Sequence, residues 1–392
     1  MSTAHEVVVI GAGIVGAACA REFAVRGLKT VLVDAGVIGG GATAAGMGHI
    51  VAMDDSPAQL ALTSYSQRLW RELAPQLPDD VEFDMAGTLW IAADDEEMGE
   101  VHRKHEVYAA AAIPTEILSS AELARVEPHL RPLAGALLVP GDAVLYPPCA
   151  AAYCTREALR LGAEILAPKR VLSAGAGRVK LEDGSELTAA RIVNACGADA
   201  TRLIPELPIR KRRGHLVITD RYPGMVRHQL VELGYLKSAH STTADSVAFN
   251  VQPRRTGQLL IGSSREFGAE HADVNHSLLA GMIARAQAYL PGIGELQAIR
   301  VWTGFRAATP DKLPLIGPWP EDETMFLATG HEGLGITTSL GTARVLASTM
   351  LGGTAEIDAS PYLPSRYSKN PGNGTNAPDL KMEIPSRQQS HA

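Results

Sequence analysis

The chain begins with a hydrophobic run, a glycine-containing turn and a helical segment. Residues 7–10 are four consecutive β-branched residues, a pattern typical of a strand buried on both faces of a parallel sheet. Residues 14–26 have a helical composition, Gly27 is suited to end that helix, and residues 30–33 form a second β-rich run. Together these patterns predict one βαβ unit at the start of the chain.

Later parts of the chain continue this alternation of helices and strands. The pattern predicts a helix over 150–161, strands over 178–181, 186–187 and 191–194, and a glycine-initiated helix over 333–350. The segments 79–144 and 214–306 differ, because the first is richer in charge and the second alternates as half-buried strands do. We expect these two segments to form a mostly antiparallel domain that is inserted at two places.

The sequence therefore predicts two domains that are discontinuous along the chain. The length of 392 residues is sufficient for two or three domains. The predicted parts are an α/β domain (1–78, 145–213 and 307–364), an inserted domain (79–144 and 214–306) and a disordered tail of low hydrophobicity (365–392).

Composition and charge narrow the class of protein. Glycine accounts for 38 residues, about a tenth of the chain against a usual level of about 7%, without a Gly-X-Y period. The net charge of −7 provides no basic surplus for nucleic-acid binding. The 4 cysteines lack CxxC spacing, which favours reduced thiols and no metal centre. No apolar run reaches about 20 residues, so we expect no transmembrane segment. A cytoplasmic location is expected, with peripheral association with the inner membrane as an alternative.

The first glycine cluster lies at the turn of the βαβ unit. Gly11, Gly13 and Gly16 form GxGxxG between the predicted strand and helix, and Asp34 ends the next strand. In this context the glycines permit a tight turn and the close approach of a pyrophosphate, while the carboxylate accepts a ribose 2′-hydroxyl. The carboxylate would repel a 2′-phosphate, so FAD or NAD is favoured over NADP. An ordinary glycine-rich turn is the alternative.

A second run of small residues favours FAD over NAD. Residues 39–46 are all glycine, alanine or threonine, so a long flat ligand could lie against their backbone. At this point the sequence resembles the D-amino-acid oxidase family of FAD oxidoreductases, which includes glycine oxidase and sarcosine oxidase. In that family the corresponding loop packs along the flavin. A flexible surface loop is the alternative.

The resemblance extends to the middle and the end of the chain. Val171 matches the family residue whose backbone meets the adenine, and residues 194–198 resemble a second strand end that contacts FAD. Three stretches between residues 305 and 317 resemble the closing block of the family, and residues 329–335 resemble its glycine turn before the last helix. The resemblance implies FAD contacts at Gly11, Ala12, Gly13, Ile14, Val15, Gly16, Asp34, Ala35, Gly41, Ala42, Thr43, Gly46, Met47, Gly48, Val171, Ala195, Cys196, Gly197, Gly333, Leu334, Gly335, Ile336 and Thr337.

Arg306 is the best candidate for a substrate-binding residue. A guanidinium group is permanently charged and forked, so it can hold a carboxylate in a bidentate pair and orient the adjacent carbon. In the family the matching arginine binds the substrate carboxylate over the flavin, and the resemblance implies the same role here. An ion pair at the surface is the alternative for the residue taken alone.

Further candidate residues lie beside the predicted flavin loops and in the inserted domain. His49 and His331 each neighbour a glycine and could contact the flavin N5 edge or the substrate amine, which makes them candidate catalytic residues. A histidine hydrogen-bonded to loop backbone is the alternative for each. Tyr235 and Asn250 are candidate substrate-binding residues of the inserted domain. The basic run 210–213 is interpreted as a solvated strand that crosses between the domains.

Several positions depart from the pattern of the known oxidases. Where glycine oxidase has a tyrosine and a second arginine, this chain has Asn250 and Gly333, so a different substrate pocket is expected. No cysteine lies at the position that links flavin in covalent sarcosine oxidases, which implies non-covalent FAD. The oxygen-activating lysine of monomeric sarcosine oxidase corresponds to Leu260. Oxygen, a quinone and a protein therefore stay open as electron acceptors.

The resemblance implies a fold and an activity. The fold is α/β, a Rossmann-like FAD-binding domain with an inserted, mostly antiparallel α+β substrate domain. The activity is oxidation of the Cα–N bond of a small amino or imino acid by hydride transfer to flavin N5, giving an imine. The Gly-His-Glu-Gly-Leu-Gly turn is most similar to that of the flavin subunits of D-hydroxyproline dehydrogenases and opine oxidases, which often work with small iron–sulfur subunits.

Alternatives to this activity stay open. They are a non-catalytic FAD-binding subunit, a glycine- or sarcosine-type oxidase that produces hydrogen peroxide, and an NAD-dependent dehydrogenase. The sequence identifies neither the substrate and its stereochemistry nor the oligomeric state.

Overall fold

The computed structural model describes residues 5–234 and 245–367. Tyr235 and residues 368–392 of the predicted tail lie outside the described residues. The described helices are α1 (Ile14–Val25), α2 (Gly41–Ala44), α3 (Pro57–Leu73), α4 (Asp95–Ala110), α5 (Ser120–Val126), α6 (Pro147–Arg160), α7 (His276–Tyr289) and α8 (Gly335–Met350).

Strands alternate with these helices along the chain. The described strands are β1 (His5–Ile10), β2 (Thr30–Val33), β3 (His49–Ile50), β4 (Thr88–Ala92), β5 (Glu116–Ser119), β6 (Gly135–Val139), β7 (Ala143–Val144), β8 (Glu164–Leu166), β9 (Val171–Gly175), β10 (Arg178–Leu181), β11 (Glu186–Asn194), β12 (Arg210–Arg221), β13 (Gln229–Glu232), β14 (Ser246–Pro253), β15 (Gln258–Phe267), β16 (Ala298–Ala308), β17 (Leu315–Trp319) and β18 (Asp322–Thr329).

The first sheet carries the glycine turn at its centre. Its main order is β17-β18-β11-β1-β2-β8, and all neighbours in it are parallel except β17 and β18. Strands β9 and β10 extend antiparallel from β11. Val7 and Val9 face a core shared with α1, α6 and α8, while Val8 faces a second core on the opposite side. The run 7–10 is continuously apolar because both faces are buried, as predicted.

The second sheet is mostly antiparallel. Its order is β16-β12-β15-β14-β13-β4-β6-β5, and only the β13–β4 pair is parallel among these described strands. Helix α7 packs on β14 and β15, where the rings of Phe249 and Tyr289 stack with centroids 4.7 Å apart. The predicted combination of a Rossmann-like α/β sheet with an antiparallel sheet is confirmed.

The two sheets take their strands from alternating parts of the chain. Strands of the first sheet lie within residues 5–33, 164–194 and 315–329. Those of the second sheet lie in the intervening segments, within residues 88–139 and 210–308. The predicted domain boundaries at 213/214 and 306/307 fall inside β12 and β16. A boundary at strand ends would instead lie before Arg210 and after Ala308.

Several element boundaries differ from the sequence prediction, among them that of the helix predicted over 150–161, which is Pro147–Arg160. Residues 186–187 and 191–194 belong to one strand, β11, because the small residues between them pair with neighbouring strands on both sides. Helix α8 begins at Gly335 rather than at residue 333. Residues 365–367 continue the folded chain, since Arg366 forms an ion pair with Asp311 at 2.7 Å. In the part of the chain that is described, no helix is both long and apolar enough to cross a membrane.

Candidate functional site

The glycine turn after β1 is tightly enclosed by backbone. Gly11 has a φ of 104°, and a Cβ there would lie 2.6 Å from the carbonyl oxygen of Ala195. A Cβ on Gly16 would overlap the carbonyl oxygen of Gly11, so α1 can pack on the sheet only with glycine at this position. The turn thus brings Gly11 together with the predicted strand end at Ala195 and Cys196.

Asp34 at the end of β2 faces this turn. Its carboxylate accepts hydrogen bonds from the backbone N–H groups of Ala12 at 2.6 Å and Gly36 at 2.7 Å. A carboxylate has about four lone-pair sites, so ribose hydroxyl groups can still donate to it. The backbone of Asp34 pairs with Leu166 and Lys169, just before β9. The structure therefore brings the segment that leads to Val171 to the ribose end of the site.

The small-residue loop after β2 is packed rather than loose. The hydroxyl oxygen of Thr43 accepts a hydrogen bond from the backbone N–H of Ile14 at 3.0 Å, which places Thr43 at the N-terminus of α1. A Cβ on Gly48 would overlap the carbonyl oxygen of Leu145, and the Met47 carbonyl accepts from Gln252 at 2.9 Å. Of this loop, Gly41, Ala42 and Ala44 are exposed, so its outer side is open to a ligand.

The N-terminus of α8 meets the glycine turn. A Cβ on Gly335 would lie 3.7 Å from Val15 of α1, and a Cβ on Gly46 would lie 2.6 Å from Ile336. The hydroxyl group of Thr337 donates to the carbonyl of His49 at 2.8 Å. The two helix N-termini, which favour negative charge, thus border one continuous groove.

The groove fits an extended dinucleotide. It begins at Asp34, passes the glycine turn and Thr43, and ends where His49 and Gly333 line a cleft. Glycine is required where backbone segments meet, and a helix N-terminus lies where the pyrophosphate of the GxGxxG motif is expected. The sequence-predicted cofactor residues are therefore brought together along one path.

The cleft lies between this groove and one face of the second sheet. Seven side chains of the second sheet line the cleft: Arg306 on β16, Arg212 on β12, Arg265 on β15, Asn250 on β14, Gln229 and Val231 on β13, and Trp90 on β4. On the opposite side the lining includes His49, Val51, Met53, Asp55, Gly333 and Leu334.

Arg306 is positioned by two glycines and a carbonyl group. Its guanidinium donates from Nη1 to the carbonyl of Ser264 at 3.0 Å. A Cβ on Gly214 would lie 2.5 Å from Nη1, and a Cβ on Gly333 would lie 3.4 Å from Nε. Ser264 is itself held by His215, whose Nδ1 lies 2.8 Å from its hydroxyl oxygen. The predicted substrate residue therefore lies in the cleft, beside the turn before α8.

The basic run 210–213 was interpreted wrongly as a solvated strand. Arg212 and Arg213 are only 6% and 8% exposed. Arg213 faces away from the cleft and pairs with Glu266 at 2.7 Å, whereas Arg212 lines the cleft and forms an ion pair with Glu332. Alternation along β12 separates the two arginines, and only the position of that strand between β15 and β16 buries them.

The two candidate histidines occupy different environments. His49 lines the cleft, and its buried Nε2 has no hydrogen-bond partner among the described residues. The His331 ring instead lies 2.9 Å through Nε2 from the hydroxyl group of Thr342 within α8, and His331 does not line the cleft. Burial lowers the pKa of each imidazole to about 3, so both are neutral. A contact of His331 with flavin or substrate finds no support in this geometry.

Sequence reasoning found some of the cleft residues and missed others. Asn250, predicted to contact substrate, lies in the cleft with an Oδ1 atom that has no partner among the described residues. Arg265, Glu332 and Trp90 were missed. No local signal marks Arg265, because residues 263–266 of β15 are all polar and their burial follows only from the packing of the sheet.

Comparison with known proteins agrees with this site. The family model DAO, FAD dependent oxidoreductase, matches residues 6–349. Glycine oxidase of Geobacillus kaustophilus is 27% identical over 383 residues, covering 94% of this chain and 98% of that protein. Hydrogen cyanide synthase subunit HcnC of Pseudomonas aeruginosa is 27% identical over 428 residues, covering 95% and 98%.

A solved structure shares the architecture. The crystal structure of glycine oxidase from Geobacillus kaustophilus aligns with a TM-score of 0.83 at 25% identity, covering 92% of this chain and 98% of that chain. The match of the family model spans both sheets, the glycine turn and the turn before α8. The chain therefore belongs to the DAO family of FAD-dependent oxidoreductases, and FAD is its cofactor.

Proposed function

We propose that this protein oxidises the Cα–N bond of a small amino or imino acid and releases an imine. The observation that carries the proposal is Arg306, which lies in the cleft between Gly214 and Gly333 at the end of the dinucleotide groove. The name of the relative, glycine oxidase, supports an amino-acid donor. FAD, when bound, supplies the acceptor for the hydride that leaves Cα.

Arg306 would bind the substrate carboxylate and set its orientation. Forked N–H donors hold both carboxylate oxygens in one plane. The Ser264 carbonyl fixes one edge of the guanidinium, so a bound carboxylate has little freedom to turn. Holding Cα in one direction beside the turn before α8 converts binding energy into alignment of the reacting bond.

Two further groups can meet the substrate amine. Asn250 offers a buried Oδ1 that has no partner among the described residues and can accept a hydrogen bond from a substrate N–H. His49 stays neutral because burial lowers its pKa to about 3, so its Nε2 serves as a hydrogen-bond partner rather than as a proton carrier near pH 7. Val51, Val231 and Leu334 supply apolar lining that excludes water.

The electron acceptor is proposed to be a partner protein, with small iron–sulfur subunits as the first candidates. Leu260, at the position assigned to an oxygen-activating lysine, packs with Met47 and Leu216 beside the flavin loop. The relative HcnC is by name a subunit of a larger enzyme, which supports a partner. Oxygen and a quinone are the competing acceptors. FAD is proposed to be non-covalent, so acid precipitation should release it.

Anaerobic reduction tests the reaction directly. Purified flavoprotein is mixed with single D-amino and imino acids, including hydroxyproline, and the flavin absorbance band is followed without oxygen. At least one substrate should bleach it. If none does, the protein is a non-catalytic FAD-binding subunit. Reoxidation by air, a quinone analogue and a dye then separates oxidase from dehydrogenase activity.

A substitution tests the role of Arg306. In Arg306→Lys the point charge remains but the bidentate fork is lost, so KM should rise on the order of 100-fold while FAD stays bound. Arg221→Lys is the matched control, because Arg221 lies on the exposed end of β12. Unchanged kinetics in Arg306→Lys would contradict the proposed role of Arg306 in binding the substrate carboxylate.

A further inference from the structure

The pairing of β12 with β15 is irregular beside the cleft. Residues 214–216 of β12 face residues 262–265 of β15, which contain one residue more. Such a β-bulge interrupts the ladder of backbone hydrogen bonds between two strands. At this bulge the backbone N–H of His215 donates to the hydroxyl oxygen of Ser264 at 2.9 Å, rather than to a carbonyl group.

Arg306 uses a carbonyl group that lies at this bulge. Its side chain starts on β16, crosses β12 at Gly214 and donates from Nη1 to the carbonyl oxygen of Ser264 on β15 at 3.0 Å. The direction of the guanidinium group therefore depends on where the bulge holds Ser264. A shift of Ser264 would turn the forked N–H donors away from a bound carboxylate.

His215 holds Ser264 in place through its ring as well as its backbone. The side chain is fully buried and is not one of the described residues that line the cleft. Its Nδ1 lies 2.8 Å from the Ser264 hydroxyl oxygen, and its Nε2 accepts a hydrogen bond from the backbone N–H of Asn275 at 2.9 Å. Because Nε2 is the acceptor, Nδ1 carries the proton of the neutral ring and donates to the hydroxyl oxygen.

The surroundings of His215 keep the ring neutral and fixed. Burial lowers the pKa of the imidazole, and the guanidinium groups of Arg213 and Arg306 act in the same direction, against the carboxylate of Glu266. Asn275 is itself held, because its side chain caps α7 and donates to Glu266 at 2.9 Å. The ring therefore links the start of α7 to the arginine in the cleft.

We propose that His215 is a positioning residue for substrate binding, which aims Arg306 at the substrate carboxylate by holding Ser264 through its ring. This inference rests on the proposed function only for the role of Arg306 as the carboxylate site. His215 acts on the carboxylate through Ser264 and Arg306 and not by direct contact. Its contribution is to the affinity for the carboxylate, and the hydride transfer itself does not require it.

Two substitutions of His215 separate positioning from folding. The amide nitrogen of His215→Asn takes the place of Nδ1 and can still donate to Ser264, but the shorter side chain does not reach Asn275. The amide of His215→Gln reaches the place of Nε2 and can still accept from Asn275, but the donor to Ser264 is lost. His215→Gln should therefore lose carboxylate affinity with a small change in Tm. His215→Asn should keep the affinity with a larger loss in Tm.

Propanoate measures the carboxylate affinity without turnover, because it has no amine to oxidise. It is titrated into each holoenzyme at fixed pH and ionic strength, and the change in flavin absorbance gives Kd. In His215→Gln the Kd should rise about fivefold, as expected for one lost hydrogen bond, and in His215→Asn it should stay within about twofold. The KM of any amino acid that reduces the flavin should follow Kd, while kcat changes less.

His105→Gln is the matched control. His105 of α4 makes the same kind of contact, with Nδ1 2.7 Å from the Thr115 hydroxyl oxygen, but it is not among the described residues that line the cleft. This variant should leave Kd unchanged. If His215→Gln does not fold, Ser264→Ala tests the same contact, because it removes the hydroxyl group and keeps the carbonyl group that Arg306 uses. Its Kd should also rise about fivefold.

The outcomes separate this inference from the proposed function. Equal Kd values in the wild type, His215→Gln and Ser264→Ala overturn the positioning role, while a raised KM in Arg306→Lys leaves the proposed function in place. Parallel losses of Tm and affinity in both His215 variants also overturn it, since they show a structural role alone. The expected Kd pattern without flavin reduction by any amino or imino acid overturns the proposed function and supports the positioning of Arg306.

Discussion

The dinucleotide groove and the cleft face of the second sheet are built by different means. The groove is formed mainly by backbone, with glycines at Gly11, Gly16 and Gly48 where a Cβ would meet another chain segment. The cleft face is formed by side chains from six strands, among them Arg306 and Trp90. A backbone site leaves a local signature in the sequence, whereas a site assembled from side chains on distant strands does not.

The difference follows from the chemistry of the two ligands. A pyrophosphate is bound by backbone N–H groups, which almost every residue carries. The sequence must therefore supply glycines that let the backbone approach the ligand, rather than particular side chains. A small acid is recognised by a few charged or polar side chains in a desolvated pocket. Those side chains can come from any strand that crosses the cleft, and their spacing along the chain carries no information about their spacing in space.

The largest expected effect is a loss of stability when the ion pair between Asp54 and helix α4 is broken. Asp54 precedes the cleft residue Asp55, and its carboxylate binds Lys104 and Arg103 of α4. Burial alone would raise the pKa of Asp54, but the Lys104 ammonium and the Arg103 guanidinium hold it below its ordinary value. Asp54→Asn leaves the fully buried Lys104 without its carboxylate and should lower the unfolding free energy by about 3–5 kcal/mol in denaturant titrations.

A double variant checks the cause of that loss. Adding Lys104→Met to Asp54→Asn removes the buried charge, and more than half of the lost stability should return. The Lys104 ammonium lies 4.4 Å from the centroid of Trp90, which lines the cleft. A double variant as unstable as the single variant would show that the charge is not the cause.

The next largest effect concerns the backbone groove. Gly16→Ala places a Cβ against the carbonyl oxygen of Gly11, and the forced separation of α1 from the sheet should cost about 2–3 kcal/mol. The same shift widens the pyrophosphate turn, so the purified variant should have lost most of its flavin. The ratio of flavin to protein absorbance measures this loss.

Gly99→Ala is the matched control for that substitution. Gly99 lies in α4, and a Cβ there would meet no atom within 4 Å. Alanine in a helix interior should therefore raise stability by about 0.5–1 kcal/mol and leave the flavin content unchanged. Equal flavin content in Gly16→Ala and Gly99→Ala would contradict the view that the groove depends on missing side chains.

A smaller effect concerns the pH dependence of stability at His331. Because burial lowers the pKa of His331 to about 3, the unfolded chain takes up a proton below about pH 6.5 while the folded protein does not. The stabilisation is complete above about pH 6.5 and is lost as the pH falls toward 3. In His331→Gln this loss should be absent, a difference of about 2 kcal/mol at pH 5.

The kinetic effect should instead come from His49. His49→Asn removes the unpaired Nε2 atom of a side chain that lines the cleft and should lower kcat/KM about fivefold, since one hydrogen bond is worth about 1 kcal/mol. His331→Gln should leave kcat/KM unchanged at pH 8, because its ring faces Thr342. A kinetic defect in His331→Gln and none in His49→Asn would reverse the assignment.

Particular residues show where prediction from sequence succeeded. The glycine turn, Asp34 and the βαβ unit were predicted because strand, turn and helix are consecutive and their signals are local. Arg306 was found through a family resemblance, and the structure places it in the cleft. Arg212 was assigned to a solvated strand because a basic run looks the same whether the strand lies at an edge or between two others.

The sequence by itself determined the dinucleotide motif and the architecture, and its family resemblance indicated FAD. Gly11, Gly16 and Gly48 mark points where backbone segments meet along the groove, and the pattern of apolar runs marks the two kinds of sheet. Only the tertiary structure decided which charges meet. It placed Arg265 and Arg306 in one cleft, paired Arg212 with Glu332 and turned His331 away. The reason is physical, because the strand order and the face of each side chain depend on pairing between segments that are far apart in the chain.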